Sequence, residues 1–334
     1  TGSRAWALKP QIQNYAIHGG YLEWIDERKD VHAEVFNLEH EGKGNFSSEE
    51  FILKTSTTAD AFRFNSAGPI PCRIDAKTNI DLAFSVNNRT HTWSFNSDRV
   101  SFNDLKLHTD GFFQWVNDSS YNMDIRFKVP STSFKDFLSM LPSVYRKDFA
   151  SIETNGHINF NGFIKGKYDR KHFPSYHANL YVTSAYFKYP DLPLPVENIN
   201  FACQVNNPDG IPDHLTVKIA NAHAEINKDT LDLHLLMKNL ETRPFIDFGL
   251  AGNLDLANIS NWMKLDSGTR LTGLLKADIY AKGNIPGSGK QKKDLFQSGG
   301  KFSLAGFSYF SKGRPRGISL DELMLVFNPG NVLI

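Results

Sequence analysis

The stretch Asn79-Ile-Asp-Leu-Ala-Phe-Ser-Val86 decides the fold. Ile80, Leu82, Phe84 and Val86 occupy alternate positions, with Asp81 and Ser85 among the residues between them. Successive side chains of an extended chain point to opposite faces, so this spacing describes a strand with one dry face and one wet face. The same alternation returns in Leu231-Asp-Leu-His-Leu235 and recurs from near residue 20 to the end. Clusters of Gly, Asn, Asp and Pro separate the runs, which lets neighbouring strands pair antiparallel through short connections. The expectation is a mainly β protein: a long, curved antiparallel β-sheet forming a U-shaped hydrophobic groove, with two short amphipathic helices.

Outward from that stretch, residues 10–130 read as almost pure strand. Candidates fall at 20–26, 31–39, 44–46, 50–58, 61–65, 72–86, 90–95, 100–109, 111–116 and 121–129. Asn87-Asn88, Asp110-Gly111 and Asn117-Asp118 are expected turn pairs, because these residues tolerate tight backbone conformations. Phe134, Phe137, Leu138 and Leu141 break the pattern with helical spacing. Ser133 followed by Asp136 resembles a capping box, and Pro142 ends the turn. So short a one-sided helix needs an apolar surface, and the end of the sheet is the expected one. Strands resume at 151–166, 177–189, 199–206, 215–220, 222–227, 230–240 and 246–254. A second short helix is expected at 256–263, then strands at 271–283, 300–310 and 318–327. The polar segment 285–298 reads as an exposed loop. The expected organisation is an N-terminal part of the groove (1–130), a helical connector (131–150) and a C-terminal part (151–334).

The chain of 334 residues carries 37 basic and 36 acidic side chains, a formal charge of +1. A partner tracked through its phosphates needs a basic excess, so no nucleic-acid partner is expected. Its 26 phenylalanines suit a sheet with much apolar surface to cover. Cys72 and Cys203 lack metal spacing and read as small apolar residues, their pairing left open. No run approaches the length of a membrane-spanning helix. The opening Thr1-Gly2-Ser3 and the apolar ending suggest an internal piece of a longer protein.

Catalytic signatures are missing: no nucleophile elbow, no phosphate-binding loop, no dinucleotide fingerprint. The eleven histidines are scattered, so no metal, cofactor or catalytic residue is expected. The apolar rows are the candidate site instead. They comprise Ile80, Leu82, Phe84 and Val86; Trp93 and Phe95; Ile125, Phe127 and Val129; Ile158 and Phe160; and Ile199, Phe201 and Val205. Leu231, Leu233 and Leu235, then Leu275 and Ile279, then Leu323, Leu325 and Phe327 complete them. Asp81, Asn200, Asp232, His234, Lys276 and Asp278 mark the opposite face. The rows fit either the filled interior of a β-sandwich or a groove open to an apolar ligand.

Several stretches resemble the AsmA family of envelope proteins, in its Bacteroidetes type. Gly20-Tyr-Leu-Glu-Trp-Ile-Asp-Glu27, Val35-Phe-Asn-Leu38 and Gly42-Lys-Gly-Asn-Phe46 look like its strand, acidic turn, strand run. Phe137-Leu-Ser-Met-Leu-Pro142 resembles its helix ending in Leu-Pro. The segment 156–168, then Asn179-Leu-Tyr-Val-Thr-Ser-Ala-Tyr-Phe-Lys-Tyr-Pro190 and Leu192-Pro-Leu-Pro-Val-Glu-Asn-Ile199, continue the match. Gly252-Asn-Leu-Asp-Leu256 resembles a later unit. The resemblance implies a periplasmic body anchored to the inner membrane through regions outside this chain. It also implies a non-enzymatic trough carrying phospholipid or another acyl-chain lipid in outer-membrane biogenesis, with envelope proteins as further partners. Two other readings stand beside it. One is an envelope assembly scaffold with a self-filled core. The other is a carbohydrate-binding β-sandwich using Trp24, Trp93, Trp115 or Trp262.

Overall fold

The computed structural model describes residues 13–27, 30–66, 72–138, 152–188, 194–259, 265–285, 296–328 and 331–333. Its architecture is mainly β, an antiparallel sheet left open rather than closed into a barrel. Strand accounts for 78% and helix for 4%, so among the described residues no helical layer is large enough to cover the sheet. Two units are distinguished. The first is Thr1–Pro130 with Ser139–Ser143 and Asn161–Ser175; the second is Ser131–Leu138 with Val144–Phe160 and Tyr176–Ile334.

The first unit is a meander of β1 (Asn14–Asp26), β2 (Val31–Lys43), β3 (Glu50–Ser66), β4 (Cys72–Asn87), β5 (Thr92–Phe102), β6 (Leu105–Asn117) and β7 (Ser120–Ser133). Each pairs antiparallel with the next. The second half of β8 (Glu153–Tyr168) joins this unit, where Lys165 reaches Asp124 at 3.1 Å. The second unit continues through β9 (Ser175–Lys188), β10 (Val196–Asn207), β11 (Thr216–Ile226), β12 (Asp229–Lys238) and β13 (Phe245–Asp255). Then come β14 (Arg270–Asn284), β15 (Gln297–Ser311), β16 (Arg314–Asn328) and the short β17 (Asn331–Leu333), again as successive antiparallel pairs.

Several expected boundaries move, each for a local reason. Residues 50–58 and 61–65 form one strand, because a bulge between Ala59 and Phe62 shifts the alternation by one residue. Residues 215–220 and 222–227 are likewise one strand, bulged between Ile219 and Ala222. Residues 44–46 lie beyond the end of β2. Residues 100–109 are cut by a turn at Asn103-Asp104, where Asn103 adopts a φ of 51°. Asp110-Gly111 is no turn but the middle of β6. Gly111 has a φ of 143°, and a Cβ there would lie 2.0 Å from the carbonyl oxygen of Asp124. Only glycine lets the two backbones approach and the strand kink at this point.

One helix, α1 (Phe134–Leu138), is described at the expected place, and Ser133 Oγ accepts the Asp136 N–H at 3.2 Å. The rest of that expected helix, residues 139–142, lies outside the described residues. At the second expected helix a single 3₁₀ turn runs over Leu256–Asn258, its first turn capped by Asp255, whose carboxylate accepts the Ala257 N–H at 2.9 Å. Residues 260–263 of that expectation, and 286–295 of the expected loop, also fall outside the described residues.

Candidate functional site

Directly paired residues on adjacent antiparallel strands share a face, so the register shows which side chains meet. In the first unit Leu53 lies opposite Phe84, Phe84 opposite Phe95, Phe95 opposite Gly111, and Gly111 opposite Ile125. A parallel row runs Phe51, Val86, Trp93, Phe113, Met123. Ile80 sits opposite Val100, and Phe127 opposite Thr109. The expected residues from β4, β5 and β7 therefore occupy one continuous apolar face.

The other face is charged. Lys165 and Arg126 flank Asp124, Arg126 lies 3.6 Å from Asp110, and His108 meets both Asp98 and Asp110. Asp81 accepts from Ser56 at 2.7 Å and faces Arg99 at 3.8 Å. A depression of about 770 Å³ on this side is lined by Glu41, Lys43, Lys54, Asp81 and Arg99. Its mixed charge suits solvent rather than an apolar guest.

Curvature decides whether the apolar face is a wall or a trough. Leu53 and Val86 are each 1% exposed although no second sheet covers them among the described residues. Such burial requires neighbouring side chains to converge over the floor, which happens when the sheet bends toward that face. The long-range tie agrees. Tyr168, on β8, donates its phenol to Asp26 Oδ2 at 3.3 Å. Asp26 projects from the same side of β1 as Leu22 and Trp24, whose partners Val35 and Ala33 belong to the apolar face. In a flat meander the last residues of β1 and β8 would lie at opposite rims. Their contact at 3.3 Å therefore requires the sheet of this unit to curl toward its apolar face.

Most of the expected residues are neither buried nor bare. Ile80, Leu82, Phe84, Trp93, Phe95, Ile125 and Phe127 are half-buried, whereas Val86 and Val129 are buried. Phe84 is the hub of an aromatic group, its ring centroid 5.6 Å from Trp93, 5.7 Å from Phe95 and 6.4 Å from Phe113. The interplanar angles there are 67°, 72° and 85°. Edge-to-face packing is the geometry the ring quadrupoles favour in an aromatic cluster.

The second unit repeats the arrangement. Leu233, Leu250 and Ile279 form one cross-strand row, and Cys203, Ile219, Leu235, Phe248 and Ala281 another. Leu231 leads through Gly252 and Ala277 to Phe302 and Leu325, and Leu275 through Leu304 to Leu323. Leu231 is 52% exposed. The backbone of Phe327 pairs with Gly300, while its side chain lies outside the described residues. Val205 lies opposite Val217 on the same face as Cys203. Burial pushes the Cys203 thiol up, which keeps it protonated and unreactive. The reverse side carries His223 between Asp232 (2.7 Å) and Glu225 (3.0 Å), and Asp247 between Lys282 (2.7 Å) and His234 (3.5 Å).

One part of this unit is closed. Phe134 and Phe137 of α1 pack on Ile158, Val182 and Ala185, with Phe160, Ile199 and Phe201 around them. Ile158, Phe160, Ile199 and Phe201 thus form a small core under the helix, while the rows from β12 to β16 lie beyond that cluster. Across the described residues of both units, seventeen apolar side chains are buried and twenty large ones are exposed.

Sequence reasoning missed Leu53, Val100, Phe113, Leu250, Phe302 and Leu304, all on the same faces. Short alternations such as Phe302-Ser-Leu304 carried the signal. Glu23, His32 and Glu34 bring possible metal-ligand atoms within 4.8 Å of one another. Their side chains already bond His32 to Glu23 (3.0 Å) and Tyr21 to Glu34 (3.1 Å), as a solvated cross-strand cluster does.

No family model, curated protein or solved structure matches this chain. No described helix is long and apolar enough to cross a membrane.

Proposed function

We propose that this chain is a non-enzymatic segment of an AsmA-like envelope protein, offering an apolar groove to the acyl chains of phospholipid. The periplasm and an inner-membrane anchor outside this chain are the setting that goes with the reading. One observation carries it: in each unit large apolar side chains continue across successive strands on one face of an open sheet and remain half-buried. A filled core would bury them; a face meant for water would not carry them. Each acyl methylene taken from water into such a groove contributes about 0.8 kcal/mol. Similar rows on successive strands offer near-equivalent positions, so a chain can slide. No bond is broken, and catalytic residues are unnecessary.

The scaffold reading has support in the core under α1, where the protein fills its own apolar face. The two readings separate by native mass spectrometry after gentle extraction. The lipid reading expects bound phospholipid on the wild type and its loss from Phe84→Asp, Phe127→Asp and Leu233→Asp variants that retain their strand content. Wild-type protein free of lipid, or folded variants that keep it, would favour the scaffold.

A further inference from the structure

We propose that a phospholipid held on the first unit lies with its ester groups at a belt of Trp93, Trp115 and Tyr121, its acyl chains running inward along the strands. This rests on the lipid reading and adds to it the orientation of the guest. Residues 31–133 contain only these three Trp or Tyr side chains, and all three stand at one end of the meander. Trp93 and Tyr121 are the second residues of β5 and β7, and Trp115, near the close of β6, lies opposite Tyr121. Tyr15, the second residue of β1, faces Gly42 at the close of β2 and extends the belt. Ring centroids lie 5.8 Å apart from Tyr15 to Phe46 and 5.3 Å from Phe46 to Phe51. They lie 6.2 Å apart from Trp93 to Trp115 and 5.7 Å from Trp115 to Tyr121. Val86 joins the two runs, facing Phe51 on one side and Trp93 on the other.

Indole and phenol rings have an apolar body and a polar tip, so they settle where an apolar layer meets water. Among the described residues Trp93 Nε1, Trp115 Nε1 and Tyr121 Oη donate to no protein acceptor. The matching ligand groups are acceptors at the border of an apolar layer, as the ester carbonyls of a phospholipid are. The layers on either side of the belt keep the same order. Outside it the turn at 88–91 is wet, with exposed Arg89 donating to Glu49 at 2.6 Å. Inside it Phe84, Leu82, Ile80 and Phe127 are half-buried. At the far strand ends Val100, Leu105 and Val129 are buried, whereas Trp115 in the belt is 44% exposed. Headgroup, ester and chain fit that succession in one direction only, with the chains pointing from the belt toward Val100.

The test uses the full chain with one tryptophan at a time. Trp6→Phe, Trp24→Phe and Trp262→Phe with Trp115→Tyr leave Trp93 as the reporter in the belt. Adding Trp93→Tyr and Phe127→Trp moves the reporter inward, four residues along β7 from the row of Trp93, Phe113 and Met123. That is about 13 Å at about 3.3 Å per strand residue. Both tyrosine replacements keep a ring with a donor in the belt. Each form is titrated with phospholipid brominated either near the ester or near the end of an acyl chain, with unbrominated lipid as the reference. Trp93 emission should fall further with bromine near the ester, and the order should reverse for the reporter at position 127. The order at Trp93 decides by itself if Phe127→Trp does not fold. Quenching of Trp93 that is equal for the two lipids, or greater with bromine near the chain end, overturns the orientation and leaves the lipid reading standing. Failure of both brominated lipids to dim either reporter overturns both.

Discussion

Replacing Phe84 by Ala separates a trough from a filled core through its energetic size. Phe84 is half-buried and packs edge to face on Trp93, Phe95 and Phe113. Truncating a fully buried Phe costs about 3–5 kcal/mol. Half the burial, with ring contacts worth about 0.5–1.5 kcal/mol each partly re-formed among the survivors, leaves roughly 2 kcal/mol. Leu53 faces Phe84 across the ladder but is 1% exposed, so Leu53→Ala should cost the full amount, about 3 kcal/mol. The assay is urea unfolding of both variants, with and without a short-chain phospholipid below its micelle concentration. A ligand at a hundred times its dissociation constant stabilises the folded state by about 2.7 kcal/mol. The trough predicts that this increment is present in wild type, largely kept in Leu53→Ala and lost in Phe84→Ala. If Phe84→Ala costs as much as a fully buried ring, and lipid stabilises no form of the protein, the face is a closed core and the reasoning fails.

Three further outcomes follow from particular contacts. Gly111→Ala forces a Cβ to within 2.0 Å of the Asp124 carbonyl oxygen at a φ of 143°, and should lower stability by more than about 2 kcal/mol, whereas Gly313→Ala, with nothing within 4 Å, should be nearly silent in the same thermal melt. The hydrogen bonds from His223 to Asp232 and then to Glu225 raise its pKa, so its stabilising contribution is complete below the unfolded value of 6.5 and is lost as pH rises through the folded one. His223→Ala should therefore lower the melting temperature more near about pH 5.5 than near about pH 8.5, and an equal loss at both would contradict the pairing. Phe134, 7% exposed, anchors α1, and Phe134→Ala should cost about 3 kcal/mol while increasing binding of a hydrophobic dye as Ile158 and Phe201 are uncovered.

The alternation around Phe84 and around Leu233 placed both residues on the correct strands and on the apolar face, because side-chain direction in a strand follows from parity alone. What parity could not reveal were the bulges. At Ala59–Phe62 and Ile219–Ala222 one extra residue flips the phase, so continuous strands read as two. Asn221 at a φ of 50° was the available cue: an asparagine between apolar runs marks a bulge as readily as a turn. Asp110-Gly111 misled for the same reason, since a glycine required by close strand approach looks identical in sequence to one required by a turn. Burial lay further out of reach. Ile158 and Phe84 belong to equally apolar rows, but only Ile158 lies under α1, and that follows from where the helix docks.

The central claim, that acyl chains lie along this inner face, is tested most directly by quenching Trp93 with phospholipids brominated on the acyl chain. Trp6, Trp24, Trp115 and Trp262 are replaced by Phe so that Trp93 alone reports. Emission should fall with the chain-brominated lipid and stay unchanged with its unbrominated counterpart, and Phe84→Asp should abolish the difference. Lipid that binds while Trp93 remains equally bright with both would place the guest elsewhere and contradict the account.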